Sequence, residues 1–174
     1  MRIAICDDDA DFTEKMRTLV EDGFAVYGEE PDISAYQDGA AFCSDEAEYD
    51  AVFLDIDMPQ VNGFDIAEQM NRKGKVFIIF VTMHDELVYS SIRFQPFRFI
   101  RKSHLTEELP EVLKELHSAV CKRRAGQKFA FRTREGTVFL DVGSITYIEI
   151  YGHWLHVRVE DGREVECYGS LLKL

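Results

Sequence analysis

Carboxylates, a hydroxyl and an ammonium follow short apolar runs at several points in the first part of the sequence. They belong to Asp7, Asp8, Asp55, Asp57, Thr82 and Lys102. Clustered carboxylates repel one another and raise each other's pKa unless a cation neutralises them. Mg²⁺ prefers oxygen ligands and bridges carboxylates to phosphate, and a carboxylate in that setting can attack phosphorus. If these residues meet, they favour phosphoryl transfer to an aspartate, and Asp55 is the candidate acceptor.

Helix capping is the alternative explanation for acidic residues in loops. Asp9 and Asp11 both stand at the start of a predicted helix, and either of them can cap it. Asp7, Asp8 and Asp55 need another explanation, because they follow two separate strands while a hydroxyl and an ammonium follow two more. We therefore interpret these three carboxylates as parts of one site.

Five short β-rich runs alternate with longer amphipathic stretches before residue 121. The predicted strands are residues 2–6, 32–36, 51–54, 76–81 and 98–101, and the predicted helices are 11–21, 39–47, 63–72, 85–94 and 106–121. Five βα units in series predict an α/β fold with a doubly wound, five-stranded parallel sheet. In that architecture ligands bind at the carboxyl ends of the strands, which is where the candidate residues stand.

The pattern changes after residue 121. Short strands are predicted at residues 129–132, 137–140, 145–148, 155–159 and 165–168, with hairpin turns at 134–136 and 160–162. The charge changes at the same place: residues 1–121 carry 11 Lys and Arg against 25 Asp and Glu, and residues 122–174 carry 9 against 7. We predict one domain over 1–121, a linker over 122–127, and a mostly antiparallel β segment over 128–174.

Composition excludes several classes of protein. A net charge of −12 disfavours nucleic-acid binding through the whole surface, although the weakly basic C-terminal segment could contribute. No apolar run approaches the roughly 20 residues that span a bilayer, and the first residues do not read as a signal peptide. The four cysteines are scattered without a C-x-x-C pair, which argues against a disulfide framework or a zinc site. We expect a cytoplasmic protein that does not associate with membranes.

Residues 1–121 resemble a CheY-like receiver domain of two-component response regulators across their whole length. The matching features, in the family's order and spacing, are Asp7 and Asp8, the run Leu54-Asp55-Ile56-Asp57-Met58-Pro59, Gly63, Thr82 and Lys102. The resemblance implies that Asp55 takes its phosphoryl group from a histidine kinase. It also implies a regulator that assists its own phosphorylation and dephosphorylation rather than an enzyme acting on a separate substrate.

The same resemblance implies a role for each site residue. Asp8, Asp55 and the backbone carbonyl of Asp57 are expected to bind Mg²⁺, with Asp7 acting through a water molecule. Lys102 is expected to pair with the phosphoryl group. The implied working form is a homodimer that assembles on phosphorylation.

The family's conformational switch also has counterparts in this sequence. Thr82 is expected to move toward the phosphoryl oxygen and Phe99 to turn inward behind it, although Phe99 also fits as an ordinary core aromatic. Three neighbours depart from the family pattern: Ser103 stands where proline is usual, Met83 where the residue is usually small, and His84 is unusual beside the site. His84 is either a solvated residue at a helix start or an influence on the lifetime of the phosphoryl group.

The second part resembles the opening of a LytTR-type DNA-binding domain. The matching segments are Thr146-Tyr147-Ile148-Glu149, Gly152-His153-Trp154-Leu155-His156-Val157 and Tyr168-Gly169-Ser170-Leu171. The resemblance implies control of transcription through DNA contacts made by loops of a β fold, with His153 and Arg158 as candidate contacts. It covers only the first part of that domain, and Ser170 would cap a helix that has barely begun. We therefore expect weak DNA binding or none from this chain.

Two further functions remain open at the level of the sequence. One is a receiver that works by protein contact alone. The other is an Asp-nucleophile phosphohydrolase of the haloacid dehalogenase type, suggested by Asp55-Ile56-Asp57. That superfamily has its D-x-D motif on the first strand, followed by Thr or Val, whereas here it follows the third strand and precedes Met58-Pro59. The response regulator is the interpretation that the sequence favours.

Overall fold

The alternation of apolar runs and amphipathic stretches gives, in the computed structural model, five parallel strands with helices between them. The structure describes residues 1–74, 76–125, 128–134 and 136–168. The strands of this part are β1 (Arg2–Cys6), β2 (Asp32–Tyr36), β3 (Ala51–Leu54), β4 (Phe77–Thr82) and β5 (Arg98–Arg101). The helices are α1 (Ala10–Ala25), α2 (Gly39–Ser44), α3 (Gly63–Lys73), α4 (Val88–Ser91) and α5 (Leu105–Ala125).

The sheet has the strand order β2-β1-β3-β4-β5, and every pair in it is parallel. The order reverses between β1 and β3, and in such sheets the crevice outside the strand ends at this point is where ligands bind. Cys6 pairs with Leu54, and Leu54 pairs with Phe80, so the residues that follow β1 and β3 emerge side by side. The predicted α/β fold with a five-stranded parallel sheet is confirmed.

Helices cover both faces of the sheet because its strands are apolar on both faces. Successive residues of a strand point to opposite faces. Ala4 and Cys6 of β1 belong to a cluster that includes Ile66 and Met70 of α3. Ile3 and Ile5, whose side chains point to the opposite face of the sheet, are equally buried. This double coverage holds the strand ends in fixed positions, which a multi-residue site requires.

The predicted helix over residues 85–94 forms only in part. α4 has four residues, and 3₁₀ turns over Asp85–Leu87 and Ile92–Phe94 flank it. The Ser91 hydroxyl donates to the Val88 carbonyl at 2.7 Å, a local bond that competes with regular helical hydrogen bonding. Gln95 then ends the segment in the left-handed conformation with φ of 51°. The polar Ser and β-branched residues explain why this stretch does not sustain a long helix.

The second part of the chain is antiparallel, as predicted. Its strands are β6 (Lys128–Thr133), β7 (Gly136–Asp141), β8 (Ile145–Tyr151), β9 (Trp154–Val159) and β10 (Glu164–Tyr168). β6 and β7 form a two-stranded sheet, and β10-β9-β8 form a three-stranded sheet. Their shared core contains Phe131, Leu140, Leu155, Val157, Val159 and Cys167.

The chain divides into two compact units, Met1–His117 and Ser118–Leu174. α5 continues to Ala125, so residues 122–125 of the predicted linker are helical. Residues 126 and 127 of that linker, and the predicted helix cap Ser170, lie outside the described residues. Among the helices that the structure describes, none is both long enough and apolar enough to cross a membrane.

A glycine allows the β3–α3 connection to fold tightly beneath the strand end. Asn62 caps α3 by accepting hydrogen bonds from the backbone N–H groups of Phe64 and Asp65. The Gly63 N–H donates to the Ile56 carbonyl at 2.9 Å. A Cβ atom at Gly63 would lie 2.1 Å from the backbone oxygen of Asp55, which is far inside contact distance. Glycine is therefore required here by close backbone approach.

We predict that Gly63→Ala lowers the free energy of unfolding by about 1–3 kcal/mol, because the inserted methyl group must displace the Asp55 backbone. The control is Gly28→Ala. Gly28 has φ of 69° but open space around its Cβ position, so alanine there costs about 1–2 kcal/mol of local strain only. Chemical denaturation gives the two energies, and the amide signals of Asp55 and Ile56 in ¹H–¹⁵N spectra should shift only for Gly63→Ala. Unshifted signals in that variant would contradict the prediction.

Candidate functional site

The acidic triplet after β1 divides into three residues with different environments. The Asp7 N–H donates to the Tyr36 carbonyl at 3.0 Å, and the Asp7 side chain is buried. Asp8 is exposed. Asp9 is the N-cap of α1, since its Oδ1 accepts hydrogen bonds from the N–H groups of Asp11 and Phe12 at 3.0 Å each. Of the two capping candidates, Asp9 fills that role, and Asp7 and Asp8 face the strand ends.

Asp55 follows β3 and is held by the main chain of its neighbours. Its N–H donates to the Cys6 carbonyl at 2.9 Å, which continues the pairing of β1 with β3 by one residue. Its Oδ1 lies 3.4 Å from the N–H of Asp57. Only 6% of Asp55 is exposed, so its carboxylate is nearly removed from solvent. Asp57 is itself exposed.

Lys102 brings the ends of three strands together. Its Nζ lies 2.7 Å from Oδ2 of Asp55 and 2.7 Å from Oδ2 of Asp7. The ammonium also lies 4.5 Å from the centre of the Phe12 ring, within the range of a cation–π contact. The Lys102 side chain is only 11% exposed. One largely buried cation thus contacts two buried carboxylates and balances the charge of one of them.

The shifts in pKa follow from this arrangement. Burial raises the pKa of Asp7, and the pairing with Lys102 only partly opposes the rise. Burial also acts on Lys102, where it lowers the pKa, but the bonds to Asp55 and Asp7 outweigh it and the net pKa is raised. Lys102 therefore stays protonated at neutral pH, and a proton or a further cation would ease the remaining negative charge.

Three carboxylates of this site lie close enough to share a metal ion. Ligand oxygens of Asp7, Asp8 and Asp55 all lie within 4.8 Å of one another. A cluster of carboxylate oxygens suits a hard divalent cation such as Mg²⁺, which takes oxygen ligands and keeps several waters. Two of the carboxylates are buried and one is exposed, so the cluster has a solvent-facing side from which an ion can enter.

The predicted switch residues lie on the neighbouring strands. Thr82, the last residue of β4, is fully buried, and its Oγ1 accepts a hydrogen bond from the His84 N–H at 3.3 Å. Phe99 of β5 pairs with Phe80 of β4 and packs, half-buried, against the core. This contact with the core fits both alternatives that the sequence left open, and the inward turn of Phe99 stays a prediction.

The three residues that depart from the family pattern have defined surroundings. Met83 is 63% exposed. The imidazole of His84 lies between two carboxylates, 3.4 Å from Oδ2 of Asp57 and 3.0 Å from Oε1 of Glu86, and its hydrogen bond with Glu86 raises the pKa of His84. Ser103 is exposed in a 3₁₀ turn over Lys102–His104, with its Oγ 2.9 Å from Nδ1 of His104.

The candidate DNA contacts of the second unit have different surroundings. His153 is exposed in the turn between β8 and β9. Arg158 projects from β9, where its guanidinium bonds the carboxylate of Glu164 and lies 5.3 Å from the centre of the Tyr147 ring. The charge of Arg158 is thus matched by a carboxylate on the neighbouring strand.

Two residues that lie beside the site were not identified from the sequence. Phe12 stands one turn after the cap of α1, so an aromatic ring near the carboxylates could have been inferred from that position. Glu108 of α5 binds both the main chain and the side chain of Arg101, the residue before Lys102. The sequence contains no signal for Glu108, because its contact depends on how α5 packs against β5.

Comparisons with known proteins agree with this geometry. A family model described as the response regulator receiver domain matches residues 3–114. An uncharacterised response regulatory protein of Yersinia pestis is 34% identical over 67 residues, which are 38% of this chain and 28% of that protein, so the chain spans under a third of that relative. The accessory gene regulator protein A of Staphylococcus aureus is 25% identical over 190 residues, covering 100% of this chain and 79% of that protein.

Solved structures with the same fold include two receivers. The response regulatory domain of protein mrkE from Klebsiella pneumoniae has a TM-score of 0.62 and 21% identity, and the match covers 70% of this chain and 99% of that one. The response regulator TrrA of Thermotoga maritima, in complex with Mg²⁺-BeF, has a TM-score of 0.53 and 26% identity, covering 66% of this chain and 97% of that one.

We predict that Lys102→Met lowers the free energy of unfolding of the first unit by about 3 kcal/mol in buffer without divalent cations, because it leaves two buried carboxylates unpaired. The pairing with Lys102 opposes the burial that raises the pKa of Asp7, so this pKa should rise further in Lys102→Met, and the folded variant should take up the proton at a higher pH than the wild-type chain. The loss should therefore shrink as the pH falls from neutral toward the raised pKa of Asp7.

Circular dichroism at a helix-sensitive wavelength measures this loss during denaturation, because helices α1 to α4 all lie in the first unit. Tryptophan fluorescence is less suitable, since the single tryptophan, Trp154, lies in the second unit. Lys15→Met is the control: Lys15 is exposed on α1, and its replacement should change stability by no more than about 0.5 kcal/mol. Equal losses from the two variants would show that the Lys102 pairing does not stabilise the fold.

Proposed function

This chain belongs to the response regulator receiver family, and we propose that its Asp55 accepts a phosphoryl group from a sensor histidine kinase with Mg²⁺ as cofactor. The observation that carries the proposal is the position of Lys102, whose Nζ lies 2.7 Å from both Asp55 and Asp7. A carboxylate is a poor nucleophile toward an anionic phosphoryl group unless cations reduce the repulsion between them. The site provides one such cation and the ligands for another.

The proposed chemistry is a single transfer. A carboxylate oxygen of Asp55 forms a P–O bond while the P–N bond of the kinase phosphohistidine breaks, and the electron pair leaves with the imidazole nitrogen. Lys102 is positioned to pair with the incoming phosphoryl oxygens, and burial of Asp55 limits access of water to the product. Mg²⁺, when bound, neutralises negative charge on the transferring group.

The ligand set for Mg²⁺ that we propose is Asp8, Asp55 and the backbone carbonyl of Asp57, with Asp7 acting through water. The grouping of Asp7, Asp8 and Asp55 oxygens within 4.8 Å supports it. The TrrA regulator, 26% identical to this chain, is a relative whose structure holds Mg²⁺-BeF. Occupation of this cluster by Mg²⁺ would leave Lys102 to the phosphoryl group.

We further propose that Thr82 and Phe99 carry the response to phosphorylation. The Thr82 hydroxyl, at the end of the strand next to β3, accepts a hydrogen bond from the His84 N–H at 3.3 Å. Its own hydrogen can therefore be donated to a phosphoryl oxygen on Asp55. Phe99 lies across from Phe80, close behind the same strand end. A difference of a few kcal/mol between the two arrangements suffices for such a switch.

The proposed output is control of transcription in the cytoplasm by a phosphorylation-dependent homodimer, through a complete LytTR-type DNA-binding domain, of which residues 128–174 resemble the first part. The full-length similarity to the accessory gene regulator protein A supports a regulator of that architecture. A receiver that acts by protein contact alone is the alternative. A phosphohydrolase is less favoured, because Asp57 is exposed and its carboxylate faces His84 rather than Asp55.

Phosphorylation is tested directly by intact mass. We expect the wild-type chain, incubated with acetyl phosphate and Mg²⁺, to gain the mass of one phosphoryl group. Asp55→Asn should gain none, because an amide cannot form the acyl phosphate. The added group should be lost in acid and alkali, as acyl phosphates are. Omission of Mg²⁺ should slow the reaction of the wild-type chain.

Asp57→Asn is the matched control, since it alters a neighbouring exposed carboxylate whose proposed role uses only its backbone. It should still gain a single phosphoryl group. A folded wild-type chain of unchanged mass would refute the proposal, and modification of Asp55→Asn would transfer the acceptor role to another residue. Steady release of phosphate from small phosphate esters would instead favour the phosphohydrolase.

DNA binding by this chain is predicted to be weak or absent, because Arg158 is paired with Glu164 rather than free for phosphate. A gel-shift assay with a pool of random-sequence duplexes at moderate salt should show no retention of DNA at sub-micromolar protein, with or without phosphodonor. Glu164→Gln, which releases the Arg158 charge, should raise non-specific affinity. Retention by the wild-type chain at sub-micromolar concentration would overturn the prediction.

A further inference from the structure

β5 is an edge strand, and its last residue stands directly before Lys102. Among the strands that the structure describes, β4 is its only neighbour, and Arg101 pairs there with Thr82. The outer backbone groups of an edge strand have no ladder partner and need another acceptor or water. A displacement of the Arg101 backbone would also displace Lys102, because the two residues are joined by a peptide bond.

The Glu108 carboxylate supplies the acceptor for the outer backbone N–H of Arg101. Oε2 of Glu108 accepts a hydrogen bond from the Arg101 backbone N–H at 2.9 Å, and Oε1 accepts one from Nε of the same residue at 2.7 Å, with Nη2 also bonded to it. Burial raises the pKa of Glu108, but these bonds to Arg101 outweigh it and the net pKa is lowered. Charge-assisted bonds of this kind are stronger than neutral ones.

The turn that follows contains no proline. Lys102–His104 form a 3₁₀ turn, and its central residue is Ser103. Proline would lock φ at this point, and serine does not. The contact between Glu108 and Arg101 adds a restraint to the chain immediately before Lys102.

We propose that Glu108 is a positioning residue for phosphoryl transfer: by holding the main chain of Arg101, it fixes the point from which Lys102 reaches Asp55. The inference rests on the proposed function of Asp55. Lys102 contributes by its charge at the transferring group, and such contributions fall steeply when the charged group is displaced by a fraction of an ångström to one ångström.

The test compares two neutralised carboxylates of α5. Glu108→Gln preserves shape but removes the charge and one of the two acceptors. Glu115→Gln is the matched control, because Glu115 bonds Nη2 of Arg98 at 2.6 Å, joining the same strand and helix away from Lys102. We expect Glu108→Gln to lower the initial rate of phosphorylation by acetyl phosphate and Mg²⁺ about fivefold, the equivalent of one modest hydrogen bond. Glu115→Gln should leave that rate unchanged, and both variants should lose little thermal stability.

A second background separates positioning from general support of the fold. In Lys102→Ala, with phosphorylation followed by intact mass over long incubations, Glu108→Gln should produce no further loss, because the group that it positions is gone. The inference is overturned if Glu108→Gln reacts at the wild-type rate, if Glu115→Gln is equally slow, or if the loss persists without Lys102. A wild-type chain that takes no phosphoryl group would instead refute the proposed function, and this inference with it.

Discussion

The Lys102 ammonium between Asp7 and Asp55 is the contact on which the site depends. The two carboxylates are buried at adjacent strand ends, where an unpaired charge is costly. With Lys102 at 2.7 Å from each, the pair can stay charged inside the protein. Every element that sets these three positions, from the pairing of β1 with β3 to the turn after β5, therefore contributes to the chemistry.

This arrangement also suits the metal ion and the phosphoryl group that we propose for the site. One lysine balances one of the two buried charges, and Asp8 adds a third carboxylate at the exposed side. The remaining negative charge favours a divalent cation, which Asp8, Asp55 and the Asp57 carbonyl would hold in the proposed site. The ammonium is then available to a new anion on Asp55, which is the role proposed for it.

The fold of the first unit and most of the site could be predicted from the sequence, because they follow from periodicity. The continuously apolar runs identified β1, β3 and β4, and their ends located Asp7, Asp55 and Thr82 without knowledge of any contact. The 85–94 segment was predicted less well, since an amphipathic pattern cannot reveal that Ser91 bonds the Val88 carbonyl and interrupts regular helix formation. Contacts between elements distant in sequence, such as Phe12 with Lys102, depend on packing geometry and leave no periodic trace.

The proposed switch and the Glu108 contact meet at one pair of residues. Thr82 and Arg101 stand opposite each other at the ends of β4 and β5. If Thr82 moves toward a phosphoryl oxygen, the end of β4 moves with it. The end of β5 is paired with β4, so this movement would also pull on Arg101. Glu108 holds that end to α5 through one backbone and two guanidinium bonds. The same contact that positions Lys102 for the proposed transfer would therefore carry a displacement of Thr82 into α5, and would link acceptance of the phosphoryl group to a movement of the helix in which the first unit ends.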